Sequence, residues 1–174
     1  MTRRRLALSN KKIRNVPRRL KALATWASDF KGYYPNDLTQ EGKYCHWKIP
    51  VITTLVEGKQ ATDAIRRECA QQLINVAGHL TLARPAEANS SRIVTSIVLP
   101  DMFSSEICIY TNLDYHRSHI PPANSECCID NRSLADEWGL ELAEGMKERG
   151  IRCSVEIDDD QFYQFEQWYF GEVD

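Results

Sequence analysis

The last twenty residues of the chain, 155–174, combine many carboxylates with many aromatic rings. This segment contains seven acidic residues and six aromatic residues, and it has no Lys or Arg. A disordered acidic tail is normally poor in aromatic residues, because such a chain cannot bury enough apolar surface to offset the entropy lost on ordering. The aromatic content therefore predicts that this segment is folded, contributes rings to a core and carries a dense negative charge.

Two secondary structures are compatible with this acidic segment. A helix is the favoured interpretation, with Asp159 as its N-cap, carboxylates near its positive end and Gly171 at its end. On that helix, three rings are expected to face the core: Phe162, Phe165 and Tyr169. Trp168 is then expected on the opposite, mostly polar side. A strand is the alternative, because aromatic residues favour sheets.

The same segment is a candidate surface for binding a basic partner. Aromatic anchors among carboxylates are the residue types expected where a protein binds a cationic surface. The predicted contact residues are Asp158, Asp159, Asp160, Tyr163, Glu166, Trp168 and Glu172. The alternative is structural, with the rings in the core and the acids on a solvated face.

The whole chain, residues 1–174, has the length expected of a single domain. Hydrophobic residues make up 43% and charged residues 26%, as in an ordinary soluble globular protein. No apolar run approaches the roughly 18–20 residues that span a bilayer, and the N-terminus has no apolar core of a secretory signal. We therefore expect a cytoplasmic protein without a membrane partner.

Charge is distributed unequally between the two ends of the chain. Residues 1–21 contain nine Lys or Arg and no acid, and residues 1–14 are predicted to form a basic N-terminal arm. The bases of residues 14–21 are expected on the solvated side of the first helix. A nucleic-acid-binding arm is one interpretation, but the net charge of only −2 argues against it, so nucleic acid is not the expected partner.

Hydrophobic periodicity predicts helices over residues 16–30, 61–77 and 133–149. Asn15 is placed to cap the first helix, and Pro17 suits its first turn. Gly78 is placed to end the second helix. Ser133 and Asp136 form a capping box for the third.

Strands are predicted over residues 92–99, 105–110 and 151–157. The first is β-branched on both faces, which indicates a covered, central strand, and the second is its expected antiparallel partner. The third alternates between apolar and polar residues, which indicates burial on one face. These elements predict an α+β fold, in which an antiparallel or mixed sheet of at least three strands packs with at least three helices around one core.

The cysteines are expected to be free thiols, because the chain lacks a secretion signal. They are Cys45, Cys69, Cys108, Cys127, Cys128 and Cys153. Cys45 and His46 are adjacent, but neighbours on an extended backbone point to opposite faces, so they are poorly placed for proton transfer.

His116 and His119, followed by Cys127 and Cys128, form a metal-like constellation. Vicinal cysteines do not match the spacing of a zinc site, and polar loop residues are the favoured interpretation. An acid–base pair of a nuclease, with Arg117 on phosphate, is the alternative. We therefore expect no metal, no cofactor and no catalytic residue.

Two stretches resemble a known family: residues 13–20 together with 32–35, and residues 46–51. They look like an uncharacterised bacterial domain family that includes immunity proteins of contact-dependent growth inhibition systems, notably partners of toxins with a ribonuclease A-like fold. The resemblance implies a cytoplasmic inhibitor that covers the active site of a toxin. It assigns no contact or catalytic residue.

The residues agree with that implication. A nuclease must present cations where phosphates bind, and a carboxylate-rich patch with aromatic anchors is suited to covering them. The chain contains no nucleophile elbow, phosphate loop, HExxH or Rossmann glycine pattern, so an enzyme is not expected. The alternatives are a regulatory or nucleic-acid-binding domain and a small hydrolase.

Overall fold

A computed structural model describes ten parts of the chain: residues 15–39, 46–51, 56, 61–88, 91–100, 102, 104–110, 142–159, 162 and 164–173. The helices are α1 (Val16–Phe30), α2 (Asp63–Leu82) and α3 (Leu142–Glu148), with short 3-10 turns at Asn36–Thr39 and Ala86–Ala88. The strands are β1 (His46–Pro50), β2 (Arg92–Leu99), β3 (Glu106–Tyr110), β4 (Ile151–Asp159) and β5 (Gln164–Val173). The predicted α+β class is therefore confirmed.

The five strands form one sheet in the order β1-β3-β2-β5-β4, and every neighbouring pair is antiparallel. The predicted strand at residues 92–99 is β2, which is central and buried along most of both faces. Its predicted antiparallel partner is β3. The strand predicted at residues 151–157 is the first part of β4, and Ile151 and Cys153 are buried as expected.

The C-terminal segment is a strand, so the favoured helical interpretation is wrong. β5 lies between β2 and β4 and pairs with both. A strand in this position satisfies the backbone hydrogen-bonding groups on both of its edges, whereas a helix would leave β2 and β4 without their neighbour. The long-range pairing therefore overrides the helical signals at Asp159 and Gly171.

The main core lies between the helices and one face of the sheet. The predicted stripe of α2 is fully buried there: Ile65, Cys69, Leu73 and Val76. The sheet contributes Ile93 and Ile97 from β2 and Trp168 and Phe170 from β5 to the same cluster. Burial of these side chains supplies the main apolar stabilisation of the described fold.

Helix α1 begins as predicted, because the Asn15 side chain accepts a hydrogen bond from the Arg18 backbone N–H at 3.0 Å. The expectation that all bases of residues 14–21 lie on the solvated side is wrong for Arg19, which is only 4% exposed. Arg19 lies four and eight residues before Leu23 and Ala27, which are both buried. It therefore shares their face of the helix, where a long Arg stem can pack against apolar groups.

Helix α2 continues past Gly78 to Leu82, so the predicted end at that glycine is wrong. Gly78 marks a close approach to α3: a Cβ at this position would lie 2.7 Å from Sδ and 2.9 Å from Cε of Met146. The missing side chain therefore makes room for a neighbouring helix, and the helix tolerates the glycine because of that packing.

Other predictions fall only partly on the described residues. Helix α3 lies inside the predicted range 133–149, while Ser133 and Asp136 lie outside the described residues. The basic arm at residues 1–14 lies outside them too. Within the described parts, no helix combines the length and apolar character needed to cross a bilayer.

Candidate partner-binding surface

The β4–β5 hairpin contains all of the predicted contact residues but does not bring them together. Asp158 and Asp159 occupy the last positions of β4, where they pair with Phe165 and Gln164 of β5. Glu172 lies near the opposite end of β5. The distance from Gln164 to Glu172 is about 26 Å along a strand that rises about 3.3 Å per residue. Asp160 and Tyr163 lie outside the described residues.

Phe162 lies in the connection between the two strands and is 72% exposed. The expectation that its ring faces the core is therefore wrong. Because the segment is a hairpin, Phe162 falls at the end of the sheet, where the chain turns between β4 and β5. An aromatic ring thus lies at the surface directly after the Asp158–Asp160 run.

Trp168 and Glu166 are both fully buried, so the expectation that they form part of an exposed contact surface is wrong. Side chains alternate between the two faces of a strand, and residues 166, 168 and 170 of β5 share the face that packs on the helices. A helix would have placed Trp168 on the side opposite the core rings, and the strand places it beneath α2.

The buried carboxylate of Glu166 is held by its neighbours on β5. Oε2 accepts a hydrogen bond from Nε1 of Trp168 at 2.9 Å, and Oε1 accepts one from Nε2 of Gln164 at 3.0 Å. Hydrogen bonds to a buried carboxylate offset part of the cost of removing it from water. Glu166 therefore stabilises the core side of the hairpin.

The opposite face of the sheet carries several chemically active side chains. The rings of His46 and Tyr110 stack across β1 and β3 with centroids 4.6 Å apart. Lys48 Nζ forms an ion pair with Glu106 Oε1 at 2.6 Å, and this hydrogen bond is the main cause that raises the pKa of Lys48. Cys108 Sγ lies 3.4 Å from the same carboxylate oxygen.

These groups do not provide an activated nucleophile. Burial, followed by the negative charge of Glu106, raises the pKa of the Cys108 thiol to about 12, so it stays protonated near neutral pH. A thiolate is the nucleophilic form, so the pairing of Cys108 with a carboxylate opposes catalysis. The ring of His46 is stacked on Tyr110, and the adjacent Cys45 lies outside the described residues.

Three of the cysteines are described, and Cys69, Cys108 and Cys153 are all buried free thiols, as predicted. The remaining three, with His116 and His119, lie outside the described residues. Among the residues that the structure describes, no three His, Cys, Asp or Glu side chains lie close enough together to hold a metal ion.

Phe162 differs most clearly from its predicted position, because its ring was expected in the core and lies at the surface. A signal for the correct arrangement was present: the regular alternation of residues 151–157 is followed by a run of three Asp, and then by a second stretch rich in aromatic residues. Two strand-like stretches separated by a short polar run indicate a hairpin, which places the connecting residues at the sheet end.

Comparison with known protein families gives one match, over residues 24–172, to a family described as a protein of unknown function, DUF3916. No curated protein and no solved structure matches the chain. The matched region begins within α1 and extends through the first four strands to the penultimate residue of β5. Because the match covers most of the chain, the protein belongs to the DUF3916 family.

Proposed function

We propose that this protein is a bacterial immunity protein that acts in the cytoplasm by binding a basic nuclease toxin domain and blocking its active site. In this proposal it acts by binding alone and catalyses no reaction. The observation that supports it best is the exposure of Phe162 at the acidic end of the β4–β5 hairpin. The family resemblance of residues 13–20, 32–35 and 46–51 supports the same function.

The turn between β4 and β5 has the features of an inhibitor surface. Its aromatic ring reaches the surface, because Phe162 is the most exposed of the large hydrophobic side chains described. Rigid aromatic groups are well suited to act as anchors, since they bury a large area while losing little conformational entropy. The adjacent Asp158–Asp160 run supplies the charge opposite to that of a phosphate-binding cleft.

The proposed surface differs from the one that the sequence suggested. Phe162 replaces Trp168 as the proposed anchor, because Trp168 is fully buried. Glu166 is removed from the contact set for the same reason, and Glu172 is too far along β5 to share one patch with the turn. The proposed contact surface is therefore the hairpin turn, residues 158–163, named here the acidic turn.

The proposal is tested with the domain encoded at the end of the reading frame immediately upstream. We expect the purified protein to bind that domain and to abolish its nuclease activity at a 1:1 ratio. Phe162→Ala should weaken binding at least about thirtyfold, which is the effect of truncating a true anchor. The measurement is calorimetric titration, together with protection of cells that express the toxin.

Tyr33→Ala is the matched control, because Tyr33 is also an exposed aromatic residue, 53% exposed, but lies after α1 and outside the hairpin. Its affinity should stay within about twofold of the parent. Binding that is equally strong in Phe162→Ala would reject the acidic turn while leaving the immunity function in place. A parent protein that neither binds nor protects, or that captures RNA in a pull-down from the native strain, would reject the immunity function itself.

A further inference from the structure

Strand β4 forms one edge of the described sheet, with β5 as its neighbour on the inner side. Edge strands of natural proteins are normally protected against further pairing by short length, by proline or by exposed lysine. The other edge strand, β1, has all three features: it is five residues long, ends at Pro50 and carries the exposed Lys48. β4 is nine residues long and contains neither proline nor lysine. It is therefore the edge that is suited to accept another strand.

The backbone of β4 presents hydrogen-bonding groups on its outer side. In an antiparallel sheet, successive residues of a strand face alternate neighbours. The Val98 N–H of β2 faces β3, because it donates a hydrogen bond to Oγ of Ser105 at 2.9 Å. Following the registers from β2 through β5 to β4, the even-numbered residues of β4 face β5 and the odd-numbered ones face outward. The N–H and C=O groups of Val155 and Ile157 therefore point away from the sheet.

The same two residues carry apolar side chains that the fold covers incompletely. Val155 packs against the core cluster, and both Val155 and Ile157 are only partly buried, whereas Ile151 at the start of the strand is buried. A strand added to this edge would cover both side chains and extend the apolar face of the sheet. Removing that apolar surface from water favours the pairing.

The charges of β4 are complementary to those of a second copy of the same strand. If two copies pair antiparallel with Val155 on the two-fold axis, all nine residues of each strand face a residue of the other. Arg152 of one copy then lies opposite Asp158 of the other, because these residues are three positions before and after Val155. Symmetry gives this pair twice. Ser154 lies opposite Glu156, so no like charges face each other.

Neighbouring registers fit less well. A register centred on Glu156 would place that carboxylate opposite its own copy. A register centred on Ser154 would leave Asp158 and Asp159 opposite residues that precede the strand. The register centred on Val155 is therefore the one that uses the whole strand and matches its charges.

We propose that the outer edge of β4 pairs with β4 of a second copy of this chain, which gives a symmetric dimer with a sheet that is continuous across both copies. This inference is independent of the proposed immunity function. Phe162 lies beyond the paired residues, so each copy keeps its own acidic turn and the expected 1:1 ratio with a toxin domain is unchanged. Asp158 lies at the boundary between the two surfaces, so dimer formation is measured without a toxin.

The first test is the oligomeric state of the full chain in sedimentation equilibrium, where we expect the parent to be a dimer. Arg152→Asp and Asp158→Arg should each raise the dimer dissociation constant at least about tenfold, because each places two pairs of like charges opposite one another. An equimolar mixture of the two variants should restore a dimer, because opposite charges face each other again. Arg67→Asp is the matched control, since Arg67 is an exposed arginine on α2, and it should dimerise as the parent does.

The second test is a cross-link at the two-fold axis. Val155→Cys should form a disulfide between two copies under mild oxidation, because only a residue on the axis faces itself and the Cα atoms of a hydrogen-bonded pair lie about 5.5 Å apart. Mass spectrometry identifies the linked peptide. Lys48→Cys, at an exposed position on the other edge strand, is the control and should form no link between two copies of residue 48.

Several outcomes would overturn the proposal. These are a monomeric parent, a dimer that persists unchanged in both charge reversals, a mixture of the two that stays monomeric, and an edge that pairs with a strand of the toxin domain instead of a second copy. Circular dichroism checks that the variants are folded. If the charge reversals unfold the chain, the Val155→Cys cross-link decides, and its absence rejects the dimer. A monomeric parent that still binds the toxin domain rejects the dimer alone.

Discussion

The indole Nε1 of Trp168 donates a hydrogen bond to Oε2 of Glu166 at 2.9 Å, and both side chains are completely buried. The two residues are two positions apart on β5 and therefore share the face that packs on the helices. This relationship places the Glu166 carboxylate and the Trp168 indole in the core. The segment stabilises the core with its strand and exposes the aromatic ring of Phe162 at its turn.

Trp168→Phe should lower the free energy of unfolding by about 1–3 kcal/mol for the lost hydrogen bond. The carboxylate of Glu166 loses a donor in a place that water does not reach, and the smaller ring adds a packing defect. Urea denaturation measures the change. Tyr33→Phe, which alters an exposed ring, should stay within about 0.5 kcal/mol. A loss below that limit in Trp168→Phe would contradict the structural role of the pair.

Gly78→Ala should destabilise the protein, although alanine is favoured over glycine within a helix by about 1 kcal/mol. The new Cβ would lie within 3 Å of both Sδ and Cε of the buried Met146, and such overpacking costs about 1–3 kcal/mol. Chemical denaturation of the single variant gives the net effect.

A double-mutant cycle with Met146→Ala separates the two contributions at Gly78. Once the Met146 side chain is removed, the same Gly78→Ala change should become stabilising, because the helix preference is then opposed only by the contact with Arg149 Nη1 at 3.2 Å, which lies at the end of a flexible side chain. An unchanged sign in the Met146→Ala background would show that the α2–α3 contact does not explain this glycine.

Stability should fall as the pH rises above about 9, because burial raises the pKa of three groups, Cys69, Cys108 and Tyr34, which keep their protons longer in the folded state than in the unfolded one. Burial raises the pKa of Cys108 from 9.0 to about 12. Burial also raises the pKa of Tyr34 from 10.0 to about 12, and its hydroxyl donates to the Leu80 carbonyl at 2.7 Å. Their contribution is complete below the unfolded pKa values and is lost as the pH approaches about 12.

Denaturation midpoints between pH 8 and pH 11 measure this dependence. Cys108→Ala should reduce the loss of stability that begins near the ordinary thiol pKa. Tyr34→Phe should reduce the loss of stability that begins about one pH unit higher. A decline of the same slope in both variants would assign the alkaline sensitivity to other groups.

Asp158→Asn combined with Asp159→Asn should slow association with a basic partner several-fold at low salt and have little effect at high salt. Charges at the rim of an interface act mainly on the association rate, and the Debye length is only about 10 Å at 0.1 M salt. Stopped-flow mixing at two salt concentrations measures the rate. Asp29→Asn with Glu148→Gln, two exposed acids outside the hairpin, is the matched control. An equal loss in the control would indicate a general charge effect.

The sequence by itself determined the local elements with a strong periodic signal. The Asn15 cap, the buried stripe of α2 and the strand β2 were predicted because each depends on spacing within one short segment. Burial of Cys69, Cys108 and Cys153 was predicted in the same way, since each lies within a helical apolar stripe or a strand-like run.

Only the tertiary structure decided the form of the C-terminal segment and the role of Gly78. Residues 164–173 contain signals for both helix and strand, and pairing with β2 and β4 selects the strand. That choice buries Trp168, exposes Phe162 and moves the proposed contact surface to the turn. Gly78 has the same sequence signature as a helix end, but contact with Met146 explains it within a continuing helix. The physical reason is common to both cases: local propensities differ by only about 1 kcal/mol, and long-range pairing and packing outweigh them.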